Sequence, residues 1–293
     1  MSEAGFDPTA PLTASGNLRR RRVVSRVTEV GATGAAIAAV AVLGIVTYTV
    51  VSRGAKAINL DFLFTGEPTG IGPAILGTGL IVLLATAIAM PIGVLIAIYL
   101  TEFSADSRVS RTVRSTLDLM NGLPSIIVGL FLYVLLVKPT QTLSALAGAL
   151  ALAVIELPLI ARGSQEVLLL VPSSLREASD ALGVSRWRSV LTVILPTALG
   201  GIVTSTVLAV ARAAGETAPL LLLTPAPVGT SFNFNIFEAL PSIPFTVFTL
   251  SEEANPEGFT RAWGSSLVLL SAILFASLGA RALLARSRAR MTR

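Results

Sequence analysis

Residues 177–196 read E-A-S-D-A-L-G-V-S-R-W-R-S-V-L-T-V-I-L-P. This polar, charged stretch lies between two long apolar segments of a very hydrophobic chain. Such a segment is suited to hold a second protein against a membrane surface. Its meaning depends on which side of the bilayer it occupies, so the surrounding chain has to be read first.

The chain has 293 residues, 53% of them hydrophobic and 13% charged. Soluble domains carry about 25% charged residues, so the composition is that of a membrane protein. The net charge of +5 does not indicate nucleic-acid binding. The arginines stand in blocks beside apolar runs, and no nucleic-acid-binding motif is present. There is no cysteine and no histidine. That excludes Cys/His metal sites, thiol nucleophiles and histidine acid–base chemistry, and no cofactor is expected. The only lysines are Lys56 and Lys138, and neither follows a glycine, so no P-loop for ATP exists.

A helix needs about 20 apolar residues to cross a bilayer. Six segments qualify, over 31–51, 73–98, 122–138, 142–160, 196–224 and 262–283. The third is short and closely followed by the fourth, as in a membrane hairpin. Lipid offers the backbone no hydrogen-bond partner, and the segments do not alternate apolar with polar. Helices are therefore expected rather than barrel strands. The first run is too long for the apolar core of a signal peptide, and an uncleaved span is expected.

Orientation follows from the cations. Arg19–Arg22, Arg26, Arg108, Arg111, Arg114, Arg162, Arg176, Arg186, Arg188, Arg281, Arg286, Arg288, Arg290 and Arg293 all fall on one side of a six-span chain. The other side receives Arg53, Lys56, Lys138 and Arg261. An asymmetry of 17 against 4 places both termini, and the 177–196 stretch, in the cytoplasm. Residues 1–30 are expected to form a cytoplasmic tail and 284–293 a basic one.

Of the two longer outer connections, 225–261 holds Pro225, Pro227, Pro241, Pro244 and Pro256 with the runs FNFNIF and IPFTVF. It is too aromatic for a plain linker. Either it meets an extracytoplasmic partner or it folds back on its own helices.

On the cytoplasmic side, Ser174-x-x-Glu177 has the spacing of a capping box, predicting a helix from about Leu175. Leu175, Ala178 and Leu182 would share its apolar face. Gly183 suits the left-handed residue that ends a helix. Ser185 can cap a second short helix with Trp187, Val190, Leu191 and Ile194 as its stripe. Glu177 could therefore be a helix cap, a contact for another protein, or both.

Arg212 and Glu216 lie inside the fifth segment, in V-A-R-A-A-G-E-T-A-P. A charge at that depth costs at least about 2.5 kcal/mol on insertion scales and marks a functional position by default. The i, i+4 spacing puts both on one helical face. A guanidinium offers a planar fork to an oxyanion, and a nearby carboxylate keeps that attraction from trapping it. The pair therefore points to a tetrahedral oxyanion as cargo, without separating phosphate from sulfate or molybdate. Glu156 is expected to snorkel or to pair with Arg162 near the cytoplasmic end of the fourth span.

The 177–196 spacing resembles the EAA motif of ABC importer permeases: E-A-A, three residues, G, nine residues, then I-x-L-P. Glu177, Ala178, Gly183, Leu195 and Pro196 match, while Ser179 replaces the second alanine and Val193 the isoleucine. R-A-A-G-E-T-A-P-L-L, with N-G-L-P-S-I-I-V-G-L-F at 121–131, is similar to the phosphate-specific permeases of this family, PstA-type rather than PstC-type. The resemblance implies an all-α polytopic membrane protein with the six-span, type I (MetI-like) permease architecture over roughly 70–283. It implies coupling helices near 173–195 in which Glu177 and Gly183 dock on an ATPase. It implies a phosphate pathway through Arg212 and Glu216. The implied partners are a second permease subunit (PstC-type), two ATPase copies (PstB-type) and an extracytoplasmic phosphate-binding protein (PstS-type). An ion-driven secondary transporter would need no docking segment. A membrane enzyme would find little chemistry here without His or Cys.

Overall fold

The computed structural model describes residues 18–66, 69–104, 107–226, 231–253 and 255–291, with side chains from 20 to 282 of those. The expected tail at 1–17, Pro227 and Arg293, and the side chains of Arg19, Arg286, Arg288 and Arg290, lie outside the described residues. The fold is helical throughout: α1 (Leu18–Gly54), α2 (Leu60–Phe64), α3 (Gly72–Ile98), α4 (Arg108–Gly122), α5 (Ser125–Leu132), α6 (Lys138–Thr140), α7 (Ala145–Leu169), α8 (Ser173–Ala181), α9 (Arg186–Ser189), α10 (Leu195–Ala213), α11 (Ala218–Leu223), α12 (Ile243–Glu252) and α13 (Pro256–Met291). Single π-helical segments extend α3 to Phe103, join α5 to α6 and join α9 to α10.

Two compact units divide at residue 49. In the first, α1 begins at Leu18, so the stretch 18–30 continues the span as helix rather than as a loose tail. Its side chains are exposed from Arg20 to Tyr48. Such a helix, apolar and unburied, is at home in lipid or against another membrane chain.

The second unit holds the core. Here α3 and α7 pack together through Ile81, Ala85, Ala89, Ala149, Leu152, Ala153 and Ile160, all buried. Alanines dominate because small side chains let two backbones approach closely in a membrane, where apolar burial alone gives little drive. α7 starts where Ser144 caps it, accepting from the Ala147 N–H at 3.2 Å. It then runs through Pro158 to Leu169, well beyond the expected end at 160.

Five helices among the described residues are long and apolar enough to cross a membrane, or six if the bent pair Arg108–Gly122 and Ser125–Thr140 counts as one span. Two spans are interrupted, each at a proline. The third is bent by 101°. Pro124 cannot donate to the Met120 carbonyl, and it forces Leu123 into extended geometry (φ −72°, ψ 132°). The fifth, expected over 196–224, stops at Ala213 and restarts at Ala218. Pro219 lacks the N–H that would bond to Gly215, and its ring would strike that carbonyl. The chain crosses the gap with tight turns, Gly215 N–H to Arg212 O and Glu216 N–H to Ala213 O, both 3.0 Å.

The outer connection 231–242 folds back on its own helices. Its Glu238 and Ile236 carbonyls accept the first N–H groups of α7, those of Ala145 and Leu146, at 2.8 and 2.9 Å. Thr224 Oγ1 bonds both ways with Leu240, at 2.9 Å each. These bonds satisfy helix-end groups that would otherwise be orphaned. Phe232, Phe234 and Phe237 still face outward.

Candidate functional site

The 177–196 stretch forms a helix, a tight turn and a second helix, as expected, but with different local rules. α8 starts at Ser173 with Pro172 in the cap position and no side-chain cap. Ser174 sits inside the first turn, so the capping box is not formed. Pro172 occupies the cap position instead, its ring fixing φ at −56° with ψ at 137°, so the chain enters the helix from extended geometry. Glu177 is exposed and makes no hydrogen bond or ion pair among the described residues. Its carboxylate is not used within this chain.

The buried face of α8 is also rotated from the expected one. Ser179 is buried and donates to the Leu175 carbonyl at 2.9 Å. Leu175 packs on the cytoplasmic cluster around Ala97, Leu168, Val190 and Ile194. Ala178 is exposed, and Leu182 is 81% exposed. Ser179 in place of the motif's second alanine is thus a small side chain that faces inward and satisfies its own hydroxyl. Gly183 takes φ +68°, and a Cβ there would meet nothing within 4 Å. Glu177, Ala178, Leu182 and Gly183 therefore form one exposed tip: a carboxylate, a bare backbone turn and an apolar knob. Sequence reading assigned Leu182 to the buried face. A helix face chosen from three apolar residues was overridden by Ser179, whose small volume fits the close contact better.

Ser185 occupies the start of α9, but its side chain makes no cap bond. Of the expected stripe, Val190 and Ile194 are buried, while Trp187 is half exposed and packs against Phe103 with ring centroids 5.7 Å apart. Leu195 packs inward on the same cluster, and Pro196 is exposed in the first turn of α10.

What fastens this tip to the transmembrane core was not visible in the sequence. Arg176, one residue before Glu177, turns inward. Its Nη2 donates to Glu102 Oε1 at 2.7 Å, and its Nε lies 3.2 Å from both carboxylate oxygens. Its remaining donors reach the Val171 carbonyl at 2.6 Å and the Leu168 carbonyl at 3.0 Å. Glu102 is buried, at the π-helical end of α3. One guanidinium therefore joins α8, the end of α3 and the last carbonyls of α7. The rigid planar fork suits this role, because its donors leave in fixed directions. Read by charge alone, Arg176 was a topology marker.

Arg162 does not pair with Glu156. It bonds Asp118 at 2.5 Å and the Arg114 carbonyl at 3.0 Å, holding α4 against α7. Glu156 lies midway along α7, fully buried, and accepts from Thr86 Oγ1 at 3.1 Å. The expected position near the cytoplasmic end is corrected because α7 continues to Leu169.

Arg212 and Glu216 are brought together, though not on one helical face, since the helix ends between them. Arg212 Nε is 3.9 Å from Glu216 Oε1, beyond hydrogen-bond range. The guanidinium donates no hydrogen bond among the described residues, and its side chain is 56% exposed. A charged residue inside an apolar span is costly to insert, and its donors then need an explanation.

These features describe a polytopic helical membrane subunit with an exposed tip around Glu177 and, within a span, an arginine that donates no hydrogen bond among the described residues. The family model for "Binding-protein-dependent transport system inner membrane component" matches residues 89–293, and the chain belongs to that family. It is 37% identical over 285 residues, 94% of this chain and 98% of the relative, to the phosphate transport system permease protein PstA of Xylella fastidiosa. It is 34% identical over 291 residues to PstA 1 of Mycobacterium tuberculosis, covering 95% of this chain and 93% of that one. Among solved structures, a bacterial alginate ABC transporter subunit matches with TM-score 0.61 at 15% identity, over 92% of this chain and 99% of that chain. A chain of the MetNI methionine ABC transporter matches with TM-score 0.59 at 20% identity, over 74% and 94%. The shared fold is thus that of ABC importer membrane subunits, as the EAA resemblance implied.

Proposed function

We propose that this chain is one of two membrane subunits of an ATP-driven importer of inorganic phosphate. The observation that carries the cargo is the match to PstA relatives over nearly the whole chain, together with an intramembrane guanidinium left open at Arg212. The open fork is the chemistry an oxyanion needs. Glu216 at 3.9 Å weakens that hold enough for release, since a pathway must bind loosely enough to let go.

The chain supplies no catalytic residue in this reading. A partner ATPase (two copies, PstB-type) supplies the energy, a PstC-type subunit the other half of the pathway, and an extracytoplasmic PstS-type binding protein delivers the ion. Both termini and the tip at Glu177, Ala178, Leu182 and Gly183 lie in the cytoplasm. The carboxylate and Leu182 enter a groove of the ATPase. Motion of the tip passes through Arg176 to α3 and α7 together, with Leu195 and Pro196 leading it into α10. ATP binding closes the ATPase dimer and switches the core from inward- to outward-facing, and hydrolysis then resets it.

Two measurements test this. Cells lacking the chain should lose uptake of radiolabelled phosphate but keep that of sulfate and molybdate; loss of sulfate or molybdate uptake instead would reassign the cargo. Glu177→Arg should reduce co-purification of the ATPase by at least about tenfold, because a like-for-unlike charge change at a contact costs more than about 1.4 kcal/mol. Since Glu177 caps nothing, the subunit itself should remain folded. Full retention of the ATPase would remove Glu177 from the contact.

A further inference from the structure

We propose that Asn121 and Ser125 complete the oxyanion site of Arg212, as neutral donors placed where two broken spans meet; this rests on the phosphate-pathway reading above. The bend after Gly122 and the gap after Ala213 lie side by side. Gly129 shows how closely: a Cβ there would stand 2.8 Å from the Pro219 Cα, so α5 and α11 touch backbone to backbone. Around the junction, Asn121, Leu123, Ser125, Ile155 and Arg212 line one small recess. Ile155 lies near the middle of α7 (Ala145–Leu169), which sets the recess near mid-bilayer.

Three polar side chains converge on that recess, and none of them makes a side-chain hydrogen bond among the described residues. Membrane interiors rarely leave polar groups unsatisfied, because lipid provides no partner. Where helices are interrupted at mid-bilayer, their freed groups characteristically hold a transported solute. Arg212 supplies positive charge, the Asn121 amide two N–H donors and the Ser125 hydroxyl one more. Glu216 is the one carboxylate beside the guanidinium, 3.9 Å from Nε. Donors from two different spans, with one charge among them, match a tetrahedral anion, whose oxygens accept from several directions. In this reading the second permease subunit completes the walls of the recess.

The test is phosphate uptake by the whole transporter in proteoliposomes, with its binding protein present. Ser125→Ala should lower the maximal uptake rate about tenfold, the effect of one hydrogen bond to a charged group, while Ser125→Thr, which keeps the hydroxyl, should stay near wild type. Asn121→Asp places a second anion in the recess and should lower the rate about a hundredfold. Binding-protein-stimulated ATP hydrolysis should persist in all three, which a merely structural defect would not allow. Equal rates for Ser125→Ala and Ser125→Thr would overturn the proposal, even if Asn121→Asp fails to assemble. If the Ser125 and Asn121 variants import normally while Arg212→Gln imports nothing, the donor site falls and the pathway reading stands. If Arg212→Gln also imports normally, both fall.

Discussion

Arg212→Gln is expected to abolish phosphate uptake, by about a hundredfold or more, while the subunit still inserts and assembles. Both halves of that expectation come from the same geometry. The guanidinium is more than half exposed in this chain, donates no hydrogen bond, and meets Glu216 only at 3.9 Å. Removing it opens no packed cavity, and it leaves the largely buried Glu216 carboxylate, 17% exposed, without the cation 3.9 Å away. The side chain therefore carries almost none of the fold, and its effect has to come from what passes over it. Removing one charge from a desolvated charge–charge contact costs about 2–5 kcal/mol, which is about thirtyfold to several thousandfold in rate. Arg212→Lys should restore part of the rate, since it keeps the charge and loses the planar fork. The check is initial-rate uptake of labelled phosphate, normalised to the amount of assembled complex. Normal uptake by Arg212→Gln would remove the residue from the pathway.

Arg176→Met is expected to show the opposite pattern, a large loss of stability first and of transport with it. Methionine keeps most of the volume and none of the donors. Glu102, 1% exposed at its side chain, would lose its only ion-pair partner among the described residues, and the Leu168 and Val171 carbonyls the donor that Arg176 supplies. Breaking a buried pair from one side costs about 3–5 kcal/mol, because the remaining charge is left unsolvated. The purified complex should unfold at a markedly lower temperature, and any surviving complex should hydrolyse ATP with less phosphate moved per ATP. Glu102→Gln should be milder, because the amide oxygen still accepts from Arg176 and no naked charge remains. Unchanged thermal stability in Arg176→Met would show that the fork does not hold the docking tip.

The two arginines illustrate how unevenly the sequence could be read. Arg212 stood out because a charge within an apolar run has no cheap explanation. Arg176 was hidden, because a cation in a cytoplasmic connection already has one. Its partner, Glu102, is distant in sequence and sits at the end of a span, where an acidic residue is unremarkable. Glu177 was ambiguous because Ser174-x-x-Glu177 spells a capping box whether or not the helix begins there. Only the start at Ser173 shows that the spacing was incidental. The rotation of α8 was hidden for a related reason: Leu175, Ala178 and Leu182 make a plausible stripe, and the depth of the groove beneath the helix decides which residues enter it.

Sequence alone determined the helical membrane class and the approximate spans, and it singled out two residue sets, around Glu177–Pro196 and Arg212–Glu216. Those are properties of composition and local order, set by the free energy of putting apolar or charged residues into a bilayer. The structure breaks its helices beside Pro124 and Pro219. Tertiary structure alone decided that these two breaks meet, that Asn121 and Ser125 therefore stand beside Arg212, and that Arg176 clamps the docking tip to Glu102. Such meetings depend on packing between helices far apart in the chain, and packing is settled by the shapes of both surfaces at once.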